Sequence, residues 1–421
     1  MTETIRIVNS TDKDAVARIV DPDARRDAGV ERRVRQIVAD VRQRGDAAVL
    51  DYARKFDNLK DDVEISRAEM TRLARTVDPG VRAAIKLAAE NIRTVARKQV
   101  PNGWRVRTGP GVIVEQRVTA LERAGCYVPG GRYPLPSSLL MTAIPARVAG
   151  VREVIAVCPR PDATVMFAAL EAGVDRMFRI GGAQAIAAMA YGTDTIPRVD
   201  KIAGPGNAYV AAAKALVSRD CAIDFFAGPS EIVVVSSQGN PAWIAADLLA
   251  QAEHDPDARA ILLTPSRRLA AAVAKEIDRQ LPADGPAAVA LSRNGAIVVT
   301  RTMTEAIALS QQIAPEHVVC DDERVGAKLT RAGTVFIGDY SAQALGDYST
   351  GSNHVLPTSG AARGRGGLSA ADFVRISTVQ RITRGGVRGI GPAAVALAEA
   401  EGLTAHAQSI RMRLQSDKDL Q

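Results

Sequence analysis

The sequence predicts an α/β protein with two parallel-sheet domains. From about residue 112, short apolar runs of strand length alternate with helical patterns, and a second such series begins at residue 231. Parallel strands need long crossover connections, usually helices, so this alternation is typical of βαβ units. The chain has 421 residues, which is more than one simple core accommodates.

The first hundred residues are predicted to be mostly helical. Two segments, 30–57 and 77–99, carry apolar residues at helical spacing. Gly45–Asp46 interrupts the first segment and starts a second helix, and Pro79 lies near the start of the other segment. The apolar positions of the first segment are Val34, Ile37, Val38 and Val41. We expect these helices to join one of the two sheet domains.

The remaining elements follow from apolar runs and turn residues. The first series predicts strands over 112–118, 153–158 and 176–180, and helices over 137–150, 163–173 and 181–192. The second series predicts strands over 231–237, 260–264, 288–292, 296–300 and 334–338, and helices over 241–254, 266–280 and 303–313. After residue 358 the chain is rich in Gly and Arg, and helices are predicted over 372–382, 392–401 and 405–415. This tail is expected to form a separate small unit that docks on another subunit.

Composition excludes several classes of protein. The net charge is +7, but the basic residues are scattered and form no long stripe with aromatic residues, so we expect no nucleic-acid partner. The four cysteines form no CxxC pair, which favours buried thiols in a reducing compartment. The N-terminus does not resemble a signal peptide, and no apolar run approaches the length of a membrane span. We therefore expect a cytoplasmic protein without a membrane partner.

The four histidines are the most informative residues. Each lies beside an acidic, amide or Gly/Pro-bracketed polar cluster, and none is isolated in an ordinary amphipathic stretch. Imidazole is the commonest metal ligand and the usual general base near neutral pH. The histidines are His254, His317, His354 and His406. Their placement predicts one active site built from distant segments.

The helix predicted over 241–254 brings an amide and an imidazole together. Ile244, Leu248 and Gln251 share its inward stripe, and His254 follows one turn after Gln251. Two interpretations remain open. The pair contributes to a functional site, or His254 interacts with the free carbonyl groups at the helix C-terminus.

Two further segments carry candidate catalytic groups. Glu316 and His317 follow Pro315 at a junction between helix and strand, and such a pair suits proton removal from an alcohol and activation of water. The polar loop over 346–358 presents Asp347, a possible hard oxygen ligand, and His354. The alternatives are an ordinary connector with a solvated Glu and a solvated surface loop.

Glycine-rich turns and one cysteine are weaker candidates. Residues 181–185 and 204–210 are Gly-rich entries to helices, where backbone amides can approach phosphate. Neither has the G-x-G-x-x-G pattern, so packing turns are the simpler interpretation of each. Cys126 could act as a nucleophile, but no base neighbours it in the sequence, which favours a buried thiol.

Taken together, these segments resemble the histidinol dehydrogenase family. The resemblance is carried, in the family's order, by AGCYVPGGRYPLPSSLLMTAIPARVAGV, GGAQAIAAMAYGT, VDKIAGPGNAYV, FAGPSEI, LLAQAEHDPDA, APEHV, GDYSTGSNHVLPT, GGLSAADF and AEGLTAHAQ. They extend over about residues 30 to 415, and all four histidines lie inside them.

The resemblance implies a zinc-containing, NAD-dependent enzyme that oxidises the amino alcohol L-histidinol to L-histidine through L-histidinal. By similarity, His317 takes the alcohol proton, and Glu316 activates water for the second oxidation. The resemblance implies that zinc is bound by Gln251, His254, Asp347 and His406. The substrate would contact these four residues and also His317, Ser230 and Glu401. NAD would be bound by Tyr127, Gln184 and Asn207. His354 is expected to lie just behind these groups.

The family's architecture is two incomplete Rossmann-like domains with small N- and C-terminal helical units in an intertwined homodimer. On this basis we expect an N-terminal extension over 1–24, a first domain over 25–122 with 231–365, a second over 123–230, and a tail over 366–421. Glu401 and His406 would then come from the partner subunit. Two alternatives remain, a related zinc and NAD dehydrogenase of another small polar alcohol and, less favoured, a zinc hydrolase that uses Glu316.

Overall fold

The computed structural model describes residues 4–20, 28–130, 134–225 and 228–415. Its strands are β1 (Arg6–Asn9), β2 (Glu64–Ile65), β3 (Trp104–Gly109), β4 (Val112–Ala120), β5 (Arg123–Tyr127), β6 (Glu153–Val157), β7 (Arg176–Phe178), β8 (Lys201–Ala203), β9 (Ala222–Ile223), β10 (Glu231–Val235), β11 (Arg259–Thr264), β12 (Ala296–Val299), β13 (His317–Cys320), β14 (Thr334–Ile337) and β15 (Val374–Ile382).

Helices connect most of these strands. They are α1 (Lys13–Val20), α2 (Ala28–Arg44), α3 (Asp46–Tyr52), α4 (Arg67–Ala74), α5 (Pro79–Gln99), α6 (Pro136–Val148), α7 (Ala163–Ala172), α8 (Gly182–Tyr191), α9 (Ala208–Val217), α10 (Pro241–Ala252), α11 (Arg267–Gln280), α12 (Ala287–Asn294), α13 (Met303–Ile313), α14 (Glu323–Gly326), α15 (Gln343–Tyr348), α16 (Arg384–Ala400) and α17 (Thr404–Gln415). A π-helical turn, Ala53–Asp57, extends α3.

Two six-stranded sheets confirm the predicted fold class. The first has the order β1-β12-β11-β10-β13-β14 and is parallel in every pairing. The second has the order β2-β7-β6-β5-β8-β9, parallel except where β2 meets β7. When β1 and β2 are left aside and the other strands of each sheet are numbered 1 to 5 along the chain, both sheets have the spatial order 3-2-1-4-5. Rossmann-like sheets have strand orders of this kind.

The chain divides by its contacts into two compact units. The first unit comprises Met1–Gln99 and Glu122–Phe373, and it holds both six-stranded sheets. The second comprises Val100–Leu121 and Val374–Gln421, and it holds a three-stranded antiparallel sheet, β15-β4-β3, together with α16 and α17.

Buried aliphatic side chains cover the sheets of the first unit. The first sheet has a cluster on each face, one built around Leu248, Leu262 and Val273 and the other around Val233, Leu263 and Val318. The apolar stripe of α2 packs in a cluster with α8, α9 and the second sheet. These contacts associate α2 with the second sheet, whereas the sequence analysis grouped residues 25–122 with 231–365. The domain boundaries stay predictions, and the one between residues 24 and 25 lies outside the described residues.

Two predicted elements are wrong. Residues 372–382 were expected to be helical, but Val374–Ile382 is strand β15, which pairs antiparallel with β4 over its whole length. Its β-branched residues suit a pleated sheet. Residues 288–292 were expected to form a strand but lie in α12. There Ala287, Ala290 and Leu291 are buried at helical spacing between Pro286 and Gly295.

Candidate active site

Glu316 and His317 both contact the main chain of one residue, Glu231. His317 is the first residue of β13, where it pairs with Ile232 of β10 and Thr334 of β14. The N–H of Glu231 donates to Glu316 Oε2 at 2.9 Å, and His317 Nδ1 lies 3.2 Å from the Glu231 carbonyl oxygen. Only 5% of Glu316 and 4% of His317 is exposed. The structure therefore brings the acid and the imidazole into one buried site.

The contacts of His317 define which ring nitrogen is available. A carbonyl oxygen can only accept, so Nδ1 carries the hydrogen and the lone pair of neutral His317 is on Nε2. Nε2 lies 3.7 Å from Asp347 Oδ1. Burial lowers the pKa of His317 to about 4, although the Asp347 carboxylate acts in the opposite direction. His317 is thus neutral near neutral pH, and its Nε2 lone pair has the Gln343 amide nitrogen 3.5 Å away.

The pKa of Glu316 is shifted in the opposite direction from that of His317. Burial raises the pKa of the Glu316 carboxyl well above its usual range, and the charges of Glu231 and Asp347 add to this shift. The hydrogen bond from the Glu231 N–H opposes it. A buried acid and a buried imidazole with pKa values displaced in this way are typical of proton-transfer sites.

Asp347 and His354 lie beside this pair. Asp347 is on α15, and its Oδ2 accepts a 2.6 Å hydrogen bond from Gln343 Nε2. His354 Nδ1 lies 2.9 Å from the Asp347 carbonyl oxygen, and His354 Nε2 lies 3.5 Å from Ser138 Oγ. Burial lowers the pKa of His354. His354 therefore holds the main chain that carries Asp347.

Gln251 and His254 lie at the end of α10, which packs against α15. Gln251 is 1% exposed, and its Oε1 has no hydrogen-bond partner among the described residues. His254 is exposed, with Nδ1 3.3 Å from the Gln251 carbonyl oxygen. Burial is the main cause that lowers the pKa of His317 and of His354, and coulombic repulsion from His254 acts in the same direction on both.

The metal-binding capacity of this site depends on a mixed donor set. Among the described residues, no group of three or more His, Cys, Asp or Glu side chains could hold a metal ion. Of the four predicted ligands, Gln251 is an amide and His406 lies in the second unit, which leaves His254 and Asp347. The orphaned buried oxygen of Gln251 fits a cation, because unpaired buried acceptors are rare without a ligand. Nitrogen and oxygen donors also suit zinc.

The predicted NAD-binding residues lie at the carboxyl edge of the second sheet. Tyr127 ends β5, Gln184 lies in the first turn of α8 after β7, and Asn207 caps α9 after β8. In open α/β sheets this edge is where ligands bind. Gly182 N–H donates to the Tyr127 hydroxyl at 3.0 Å. Three residues from separate segments are thus arranged along one edge.

The turn between β8 and α9 is held by a buried ion pair. Lys214 Nζ donates to the Gly204 carbonyl oxygen at 3.0 Å, and the Gly204 N–H donates to Asp224 Oδ2 at 2.9 Å. Lys214 and Asp224 also pair directly. Gly204 has φ +126°, and a Cβ there would lie 2.1 Å from the Tyr127 carbonyl oxygen. Only glycine fits this close approach of two strand ends.

The other predicted substrate residues are divided between the units. Ser230 directly precedes β10, and its carbonyl oxygen accepts from Arg259 N–H at 2.9 Å. Glu401 follows α16 and His406 lies in the first turn of α17, and both are exposed in the second unit.

Comparisons with known proteins identify the family. A sequence model described as histidinol dehydrogenase matches residues 21–414. The histidinol dehydrogenase of Cereibacter sphaeroides is 47% identical over 392 residues, which cover 90% of each chain. That of Dechloromonas aromatica is 44% identical over 409 residues, 94% of each chain. The chain belongs to the histidinol dehydrogenase family.

A solved histidinol dehydrogenase has the same fold. The crystal structure from Elizabethkingia anophelis is 34% identical, covers 99% of both chains and superposes with a TM-score of 0.93. The predicted family and enzyme class are confirmed, because histidinol dehydrogenase is an oxidoreductase, and the use of NAD follows from the family. Among the described helices, none has the length and apolar character needed to cross a membrane.

Several residues that contact the predicted site residues escaped the sequence analysis of this histidinol dehydrogenase family member. Glu231 was seen only as the start of the strand EIVVV, although a carboxylate opening an apolar run is a signal of a buried partner. Its partner is Arg259, 2.7 Å away. Asp57 accepts from Gly181 N–H at 3.0 Å and Gln184 Nε2 at 3.1 Å. No local pattern marks Asp57 or Gln343.

The cysteines of the chain are buried thiols. All four are free and buried. Burial raises the pKa of the Cys126 thiol to about 12, so that thiolate is scarce near neutral pH. This favours the interpretation of Cys126 as a packing residue.

Proposed function

We propose that this chain oxidises L-histidinol to L-histidine through L-histidinal, the last steps of histidine biosynthesis, with two NAD consumed in sequence. The observation that carries the proposal is the buried pair of Glu316 and His317, in which the lone pair of His317 Nε2 faces Asp347. The family membership supports the same activity.

In the first oxidation His317 acts as the general base. Its Nε2 takes the hydroxyl proton while the carbinol carbon transfers a hydride to NAD, which leaves an aldehyde, NADH and a proton on the imidazole. Tyr127, Gln184 and Asn207 hold NAD in this proposal. The hydrogen bond from Nδ1 to the Glu231 carbonyl keeps Nε2 as the accepting atom.

In the second oxidation Glu316 promotes the addition of water to the aldehyde. The raised pKa of its buried carboxyl makes the ionised form a stronger base than a solvated carboxylate. The resulting hydrate then loses a second hydride to NAD and a proton to His317, which gives the carboxylic acid.

Zinc would be held by Gln251, His254 and Asp347, with His406 of the partner subunit completing the set. When bound, zinc would anchor the imidazole and amine of the substrate, so that the alcohol carbon is presented in a fixed orientation. The orphaned Gln251 Oε1 supports this set. Ser230, together with Glu401 of the partner subunit, would contact the same substrate in a cytoplasmic homodimer.

The test is a stopped assay with purified protein, histidinol and excess NAD that counts NADH formed per histidinol consumed. The expected ratio is two, with histidine as the product and with activity abolished by a zinc chelator and restored by zinc. A panel of other small polar alcohols provides the comparison. Turnover of another alcohol without turnover of histidinol would reject the proposed substrate, and product formed without NAD would favour a hydrolase.

A further inference from the structure

Gln343 and Asp347 lie on the same face of α15. They are four residues apart, which places them one above the other on a helix. Gln343 is 1% exposed and Asp347 is 9% exposed. Gln343 Nε2 donates to Asp347 Oδ2 at 2.6 Å. A buried amide that has no part in the proposed function therefore bonds a proposed zinc ligand.

Two acceptors fix the orientation of this amide. An ionised carboxylate can only accept hydrogen bonds, so the NH2 group of Gln343 must face Asp347. The same nitrogen lies 3.5 Å from His317 Nε2, whose lone pair would repel the amide oxygen. This second contact is longer than an ordinary hydrogen bond, so Asp347 is the main partner of the amide.

The oxygen of the amide shows that this orientation is unfavourable at its other end. Gln343 Oε1 is buried and has no hydrogen-bond partner among the described residues. A buried carbonyl without a donor lowers stability. Turning the amide over would place this oxygen against the Asp347 carboxylate, where two acceptors would repel each other. The donor therefore stays on Asp347 although the amide oxygen is left unpaired.

The two carboxylate oxygens of Asp347 consequently differ. Oδ2 is bonded to Gln343, whereas Oδ1 accepts no hydrogen bond from a described residue. Oδ1 lies 3.7 Å from His317 Nε2, and the neutral imidazole carries no hydrogen on that atom. A largely buried carboxylate oxygen without a donor is suited to a cation. Oδ1 is therefore the atom of Asp347 that is available to a metal ion.

We propose that Gln343 is a positioning residue for the zinc ligand Asp347. Its NH2 group occupies Oδ2 and holds the carboxylate so that Oδ1 alone binds zinc. The χ2 torsion of Asp has a broad energy minimum, so without this donor the carboxylate turns and Oδ2 loses its partner. The inference rests on the zinc ligands of the proposed function, and it assigns Gln343 to zinc binding and not to proton transfer.

The test measures zinc affinity in the variant Gln343→Met, which keeps the length of the side chain and removes the amide. Metal-free full-length protein is titrated with zinc against a chromogenic chelator, without NAD or substrate, so the readout does not depend on activity. We expect the Kd for zinc to rise about tenfold to a hundredfold, as loss of a hydrogen bond to a metal ligand predicts. Loss of packing alone would alter urea unfolding of the metal-free chain and leave the Kd for zinc unchanged.

The matched control is Gln311→Met. Gln311 lies on α13 with both ends of its amide bonded, to Lys328, Thr330 and Arg331, and the substitution should leave zinc affinity unchanged. If the Gln343→Met chain fails to fold in urea-unfolding controls, Gln343→Leu replaces it. An unchanged Kd in the folded Gln343 variant, or an equal loss of affinity in Gln311→Met, would overturn the inference. An unmodified chain that binds no zinc would instead overturn the zinc ligands of the proposed function.

Discussion

At the scale of single residues, the main chain of Glu231 orients the proposed catalytic pair, Glu316 and His317. The N–H of Glu231 donates to the carboxylate of Glu316, and the Glu231 carbonyl oxygen accepts from the imidazole of His317. The backbone of one residue therefore orients both side chains. The Glu231 side chain is itself fixed by Arg259 at 2.7 Å and by the Ser359 N–H at 2.9 Å. These supports lie in distant segments, which explains why residue pattern predicted the pair but not its support.

The buried neutral imidazole makes stability depend on pH. Burial lowers the pKa of His317 to about 4 from an ordinary value of 6.5. Between these values the unfolded chain binds a proton that the folded chain does not, so the contribution of His317 to the free energy of unfolding is retained above about pH 6.5 and lost as the pH falls towards about 4. We expect His317→Asn to lose this part of the pH dependence.

This pH dependence of stability is measured by urea unfolding of the metal-free protein and of the His317→Asn variant at about pH 7.5, 6.5 and 5.5. The free energy of unfolding of the unmodified chain should fall more steeply over this range than that of the variant. Parallel pH profiles for the two chains would contradict the prediction.

At the scale of elements, the entry to α8 shows how a π-helical turn in one segment positions a carboxylate beside another helix. The π-helical turn after α3 ends at Asn58, which has φ +57°, and it delivers Asp57 to Gly181 and Gln184. The two N-terminal N–H groups of α8 are thereby used by Asp57 and Tyr127. The Gly-rich turn at 181–185 is thus closed by side chains and does not offer these amides to a phosphate.

Asp57 should therefore affect NAD binding more than catalysis. In Asp57→Ala, Gly181 N–H and Gln184 lose their acceptor, and we expect KM for NAD to rise about tenfold while kcat changes less than about threefold. Asp57→Asn keeps an oxygen acceptor and should restore most of the affinity. Steady-state kinetics with Asp61→Ala, an exposed acid of the same segment, provide the control. A parallel fall in kcat and no rescue by Asn would show a structural role instead.

The predictability of the elements depended on where their hydrogen bonds go. Helices with a clear apolar stripe, such as α2 and α10, followed from spacing alone. Residues 374–382 did not, because the pairing partner of β15 is β4, more than 250 residues earlier in the chain. The short apolar run in α12 is compatible with either a strand or a helix. Pro286 and Gly295, which flank it, favour the helix. Gln343 and Glu231 matter through burial and geometry, which no local pattern records.

At the scale of the whole molecule, the proposed site residues are divided between two units. All except Glu401 and His406 belong to the first unit. If the tails are exchanged in a dimer, each site needs one subunit's Glu316 and the partner's His406. This arrangement predicts complementation between two inactive chains.

Mixing Glu316→Gln and His406→Ala chains after reversible dissociation should restore activity. About half of the re-formed dimers are mixed, and each mixed dimer has one intact site, so about a quarter of the unmodified activity is expected. The recovery of activity is measured as the rate of NADH formation before and after mixing, with each variant alone as the control. No recovery despite proven exchange of subunits would place His406 in its own subunit's site or outside it.

Strand pairs that are far apart in the sequence also bear on how the chain reaches this fold during synthesis. Arg6 of β1 pairs with Ala296 of β12, and Val112 of β4 pairs with Ile382 of β15. Strands β1 and β4 therefore wait for partners that are made more than 250 residues later, and such long-range pairing slows folding. Until then the nascent polypeptide displays unpaired strand edges, which makes it a natural client for chaperones that shield them.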